Sequence, residues 1–308
     1  YQLFNANNEG VAEQLINIRF ESGTETTGTV SCIDAINQTD GSGNLISETC
    51  ANASNGNWYT HPAFTFGDEQ LTGFWVGKFE VSGTTDAITI KPGIQSLRNT
   101  HVSSFFIAIQ NMNTTYNLNG DSHMIKNMEW GAVAYLKQSK YGLDIVDIEK
   151  NSSKFYTGGG SSSTSYKDNI AQSTTGTIYG VYDMSGGAYE YVMGNMVNSN
   201  GEFYSSGSGF SNILDEKYYD KYTYDTLETS HSRGKLGDAT KETLLSFGDS
   251  NGGWYNDRNN FTRINGSWFT RGGAYTWGID SGLFAFHPHV GHNDVWVSTH
   301  AVLVTSSN

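Results

Sequence analysis

The alternation of apolar and polar positions changes character near residue 61. Before it, Val11, Leu15 and Ile18 of VAEQLINIRFES fit one face of a helix, while the second half of that stretch alternates as a strand would. Thr24 to Trp58 is Thr, Ser, Asn and Gly with few apolar residues. Residues 1–60 are therefore expected to form an N-terminal appendage, and 61–308 the main domain.

From His61 the pattern becomes regular. Phe64 alternates with Phe66, Phe74 with Val76 and Phe79 with Val81, which predicts strands around a Gly67-Asp68 turn. Val102, Phe105, Phe106, Ile109 and Met112 recur at three- and four-residue spacing, which predicts a helix. A second helix is expected from Asn127 to Leu136, with Asn127 as its cap and Gly142 as its stop. Near the end, Gly282–Phe286 and Ala301–Val304 read as strands. Between them lies a polar, aromatic-dotted segment carrying His287, His289, His292, Asp294, Trp296 and His300, expected to be a displayed loop. A hairpin, two helices and short later strands point to an α+β domain.

Composition narrows the function. A formal charge of −13, from 31 acidic and 18 basic side chains, repels nucleic acid and anionic membrane surfaces. No run is long enough to span a membrane, and no signal peptide is visible. The chain begins at Tyr1, as a fragment trimmed of its targeting segment would. Cys32 and Cys50 flank a polar segment that a bridge would close in an oxidising compartment, worth about 3 kcal/mol; in a reducing one they are two thiols. No phosphate-binding loop, His-Glu-x-x-His or Gly-x-Ser-x-Gly sequence is present, and Asp215, Glu216 and Asp220 read as a solvated helix face. Asn151–Thr177, rich in Ser, Thr and Gly, reads as a linker or a long surface loop.

The motif immediately C-terminal to that stretch decides for a loop. Residues 178–196, IYGVYDMSGGAYEYVMGNM, carry Gly180, Tyr182, Asp183, Met184, Ser185, Gly186 and Glu190. These glycines suit tight backbone turns, Asp183 and Ser185 can bond nearby amides, and Met184, Tyr189 and Tyr191 supply bulk, so an architectural role is expected. The segment resembles the signature of the formylglycine-generating-enzyme-like family, a variant of the C-type lectin fold. Gly187 stands where Asn is usual there, and Tyr189 and Tyr191 where Trp is usual. Phe74–Val81, Glu129-Trp130 and Arg271-Gly272-Gly273 fit the same family in the same order. The resemblance implies a lectin-like domain of short, twisted antiparallel strands with two helices and long loops. Enzymes of that family use cysteines in the C-terminal part of the domain, whereas both thiols here lie outside the matching region, so no catalytic residues and no cofactor are expected.

Within this branch, MIKNMEWGAVAYL, YGVYDMSGGAYEYVMG, and RGG followed by SGLFAF and a last strand are similar to the variable proteins of diversity-generating retroelements. These proteins sit on bacteriophage and bacterial surfaces, where adenine-specific mutagenesis rewrites C-terminal contact positions. The resemblance implies a binding protein on a virion or bacterial cell surface, its ligand a protein or glycan, with a trimer among the assemblies known for such proteins. Tyr275, Ile279, Asp280, His287, His289, Val290, His292, Asp294, Val295, Val297 and Ser298 are the expected variable contacts. Trp277 and Trp296 cannot arise from an Asn codon by changing adenines, which makes them fixed anchors or core, Trp296 still able to bind. Thr299-His300 stand where Phe-Arg is usual. His287, His289, His292 and Asp294 can also be drawn as a metal set, but the spacing alone favours solvent-facing side chains, and no metal is expected.

Overall fold

The computed structural model describes residues 20–21, 59–138, 141–143, 146–204, 206–226, 234–235, 237–240, 243 and 253–305. Nearly all of the expected appendage, with Cys32 and Cys50, lies outside them.

The hairpin predicted around Gly67-Asp68 is present. Strand β1 (Thr65–Phe66) pairs antiparallel with β2 (Glu69–Gln70), and Gly67 takes φ +62°, a value open to glycine at no steric cost. Strand β3 (Trp75–Val76) leaves the hairpin for a partner at the other end of the chain. A second hairpin, β4 (Ser82–Thr84) with β5 (Ala87–Thr89), comes after it.

Helix α1 (Val102–Gln110), continued by the helical turn Met112–Thr115, buries Val102, Phe105, Phe106 and Ile109, the face its periodicity marks. Strand β6 (Asp121–Met124) and helix α2 (Asn127–Tyr135) come next. Asn127 does not cap α2. Glu129 reaches back to accept from the backbone N–H of Lys126, and Asp220 accepts from that of Met128. Asn127 is buried instead, donating to the Tyr222 hydroxyl and accepting from Arg271. The helix closes in a 3-10 turn over Leu136–Gln138, ahead of Gly142.

The 151–177 stretch is held to the body. Gly93 donates to Thr157, Ser96 to Phe155 and Asn151 to Ser185, all backbone to backbone. It leads into β7 (Tyr189–Met196), buried at all eight positions. The largest sheet is built on β7: β8 (Asp220–Tyr222) and β11 (Val297–Ser298) pair parallel with it, β9 (Trp268–Arg271) pairs antiparallel, and β10 (Phe286–His289) adds to β9. The last strand, β12 (Ala301–Val304), lies between β3 and β6 in a three-stranded antiparallel sheet. The described residues form a mixed α+β fold with several antiparallel sheets.

Arg271 is fully buried, donating to the Asn127 side chain and to the carbonyls of Asp238 and Ala239. Two further expectations change. Gly282–Ala285 is a turn, and the strand begins only at Phe286. Asp215, Glu216 and Asp220 lie on no helical face: Glu216 starts a 3-10 turn capped by the Asp215 side chain, and Asp220 opens β8. Among the described residues, no helix is long and apolar enough to cross a membrane.

Candidate functional site

The segment expected to be one loop is a strand end, a turn and a second strand. Trp268 pairs with His289 and Thr270 with His287, so both histidines fall on one face of β10 while Phe286 and Pro288 face the interior. Each histidine is half-buried. The His287 ring packs near Tyr189 and Trp277, and burial pushes its pKa down to about 3. Burial, with His292 beside it, also lowers His289, while Asp294 pulls the other way.

The turn from Val290 to Trp296 faces outward. His292 is exposed, Val290 and Asp294 are half-buried, and Val295 and Trp296 are 52% and 40% exposed. Its backbone is clamped from another part of the chain. Asn99 donates to the carbonyl of Asp294, Val102 to that of Gly291, and the Arg98 guanidinium to that of Val295. Asp294 also accepts from the backbone N–H of Trp296.

A second outward segment adjoins it. The Tyr275 ring stacks on Trp296 at 5.9 Å, and Phe155 meets both edge-on, with the Arg98 guanidinium 3.9 Å above its ring. Trp277 stands between Tyr189 and Arg258, while Ile279 is 63% exposed and Asp280 half-buried on the adjoining 3-10 turn. Ten of the twelve expected contact residues therefore reach this end of the molecule with accessible surface: Tyr275, Ile279, Asp280, His287, His289, Val290, His292, Asp294, Val295 and Trp296.

Val297 and Ser298 do not. Both are fully buried in β11, paired with Tyr189 and Glu190 of β7. With both side chains packed inside, neither position offers surface to a partner. Phe155, Arg98 and Asn99 do belong to the site, yet the sequence does not mark them. Phe155 comes from a Ser- and Gly-rich stretch, and the other two precede a helix.

Beneath the tip, the 178–196 motif is a buried polar network. Asp183, at φ +66°, accepts from the Asn151 side chain and from the backbone N–H groups of Gly158 and Glu80. The Glu80 carboxylate in turn accepts from the N–H of Ala188. A Cβ on Gly186 would sit 2.5 Å from the Asn151 carbonyl, so that position requires glycine. His300, where arginine is usual in the resembled family, lies 2.5 Å from Glu190. Burial, then the neighbouring Asp183, pushes the Glu190 carboxyl up, and burial pushes His300 down to about 4. Both shifts fit a neutral pair in which the acid donates to Nδ1 of the imidazole. These groups are sealed from solvent and hold the turn.

A cleft lined by Phe66, Asp121, Lys126, Glu216 and Lys217 opens elsewhere, and none of the twelve expected contact residues lines it. The chain matches no protein-family model and no curated protein sequence.

Proposed function

We propose that this chain is a non-enzymatic ligand-binding protein, built on a C-type lectin-like scaffold of the formylglycine-generating-enzyme-like subtype. Its C-terminal tip, diversified by a retroelement, meets a protein or glycan on a target cell from a virion or bacterial surface. The observation that carries this reading is the tip itself: aromatic, imidazole and aliphatic side chains reach solvent together from a turn whose backbone is tied to residues 98–102. Rigid rings on a fixed backbone give large contact area for little entropy lost, which is how binding loops gain affinity. The exposed Ile279, Val295 and Trp296 suit a flat or convex contact of the kind macromolecules make, more than the concave pocket a small substrate needs.

The test replaces Ile279, His292, Val295 and Trp296 together with Ala and follows attachment of labelled protein to a panel of bacterial cells and to a glycan array. Attachment is expected to fall about 100-fold, as loss of a hot-spot cluster does, with Tm moved by no more than about 3 °C. Attachment unchanged in the variant would remove the tip from recognition. Neighbouring DNA holding a near-copy of the last codons, differing at adenines and beside a reverse-transcriptase gene, would support diversification. Copper-dependent oxidation of a cysteine peptide would replace the binding reading with the oxidoreductase one.

A further inference from the structure

We propose that His289, His292 and Asp294 form a binding site for one divalent transition-metal ion, zinc being the best fit. The site stands whether or not the tip meets a partner. One donor atom from each residue lies within 4.8 Å of the others. His289 Nε2 and Asp294 Oδ2 are 3.4 Å apart. That is long for a charge-assisted hydrogen bond, usually about 2.7–2.9 Å. It matches the ligand-to-ligand separation of a tetrahedral zinc ion, roughly 3.3–3.5 Å for bonds of 2.0–2.1 Å. His292 stacks on His289 with ring centroids 4.9 Å apart and, being exposed, can swing the remaining distance inward. Two imidazoles and one carboxylate leave a fourth position for water, the donor set of an open zinc site.

The surroundings orient these donors. Tyr191 Oη is 2.6 Å from the His292 carbonyl oxygen and 2.5 Å from His289 Nδ1. A carbonyl only accepts, so the single hydroxyl proton goes to His292 and the Nδ1–H of His289 donates to Tyr191. Nε2 then faces the carboxylate without a proton of its own, a contact that either a second proton or a metal ion between the two would relieve, and the 3.4 Å separation is the one a metal ion would set. The Gly291 N–H, 3.2 Å from Nδ1, favours the opposite tautomer, but the two tyrosine contacts are shorter and outweigh it. A metal-bound imidazole whose other nitrogen donates to a fixed neighbour is the usual outer arrangement of protein metal sites. Asp294 is held in the same way: its Oδ1 accepts from the Trp296 N–H, which leaves Oδ2 for the ion. His287 is outside the set, its ring turned among Tyr189 and Trp277.

Calorimetric titration of the full chain with Zn²⁺ is expected to show one ion per chain with a dissociation constant of about 10 μM or tighter. Co²⁺ in its place should give the visible absorption of a four-coordinate site. His292→Ala, the most exposed change, and Tyr191→Phe, which keeps the ring and removes the hydroxyl, should each weaken binding about 10- to 100-fold; His287→Ala should leave it unaltered. No stoichiometric uptake by the wild-type chain would overturn the proposal. So would uptake that survives in the triple variant His289→Ala, His292→Ala, Asp294→Ala, because the ion would then sit elsewhere. Unaltered affinity in Tyr191→Phe would overturn the orienting relay.

Discussion

At position 61 an imidazole is sealed from solvent. His61 is 1% exposed, with Nε2 3.0 Å from the Gly237 carbonyl and Nδ1 accepting from the Ala63 N–H, so both nitrogens are committed only while the ring is neutral. Burial lowers its pKa from 6.5 to about 4, the Gly237 carbonyl pulling back. Between those values the unfolded chain binds a proton that the folded chain refuses. The contribution is therefore complete above about pH 6.5 and lost as pH falls toward 4, at most about 3 kcal/mol. Replacing His61 with Gln, which can still donate to Gly237 but does not titrate, should flatten the loss. Urea midpoints at pH 7 and pH 4.5 should differ less in the variant than in the wild type, and equal differences would refute the assignment.

At the scale of elements, β10 and β11 divide the tip into what can change and what cannot. Val297 is 1% exposed, so Val297→Ala should cost about 1–3 kcal/mol in denaturant unfolding. The neighbouring Val295→Ala should stay within about 0.5 kcal/mol; equal costs would mean the strand boundary is wrong. The difference is half legible in the sequence. Phe286-His287-Pro288-His289 alternates apolar with polar, and the structure follows it. Val297-Ser298 carries no such mark, because its burial comes from parallel pairing with a strand more than a hundred residues earlier. Helix α1 is legible from its periodicity; α2, buried over most of its length, has no one-sided apolar stripe and is legible only from the stop that Gly142 supplies. The α2 cap is not legible, since Asn127 is drawn off by Tyr222 and Arg271 and a glutamate two residues on does the capping. The mixed α+β class could be read from local patterns, whereas the aromatic neighbours of the tip, Phe155 above all, depend on a long stretch that reads only as polar loop.

Across the whole molecule, Arg271 joins parts that are otherwise remote. It stands in β9 of the large sheet, bonds α2 through Asn127 and the 238–239 segment through two carbonyls, and has the rings of Trp130 and Phe286 within 6 Å. Lysine keeps the charge but not the planar fork, so Arg271→Lys should destabilise the chain by about 2–4 kcal/mol. Calorimetry should show that loss as one shifted transition; a local change confined to the tip would contradict it.

The bonds from Arg98, Asn99 and Val102 to the turn carry a last consequence. Two of the three are donated by main-chain amides, and all end on main-chain carbonyls, so they are indifferent to what each turn residue carries beyond its Cα. Side chains at His292, Val295 and Trp296 could be exchanged without loosening that anchorage, whereas Gly291, at φ +85° with Trp268 2.8 Å from where a Cβ would sit, could not, and a disturbance near Asn99, whose φ of +56° few residues tolerate, would reach the turn through its backbone.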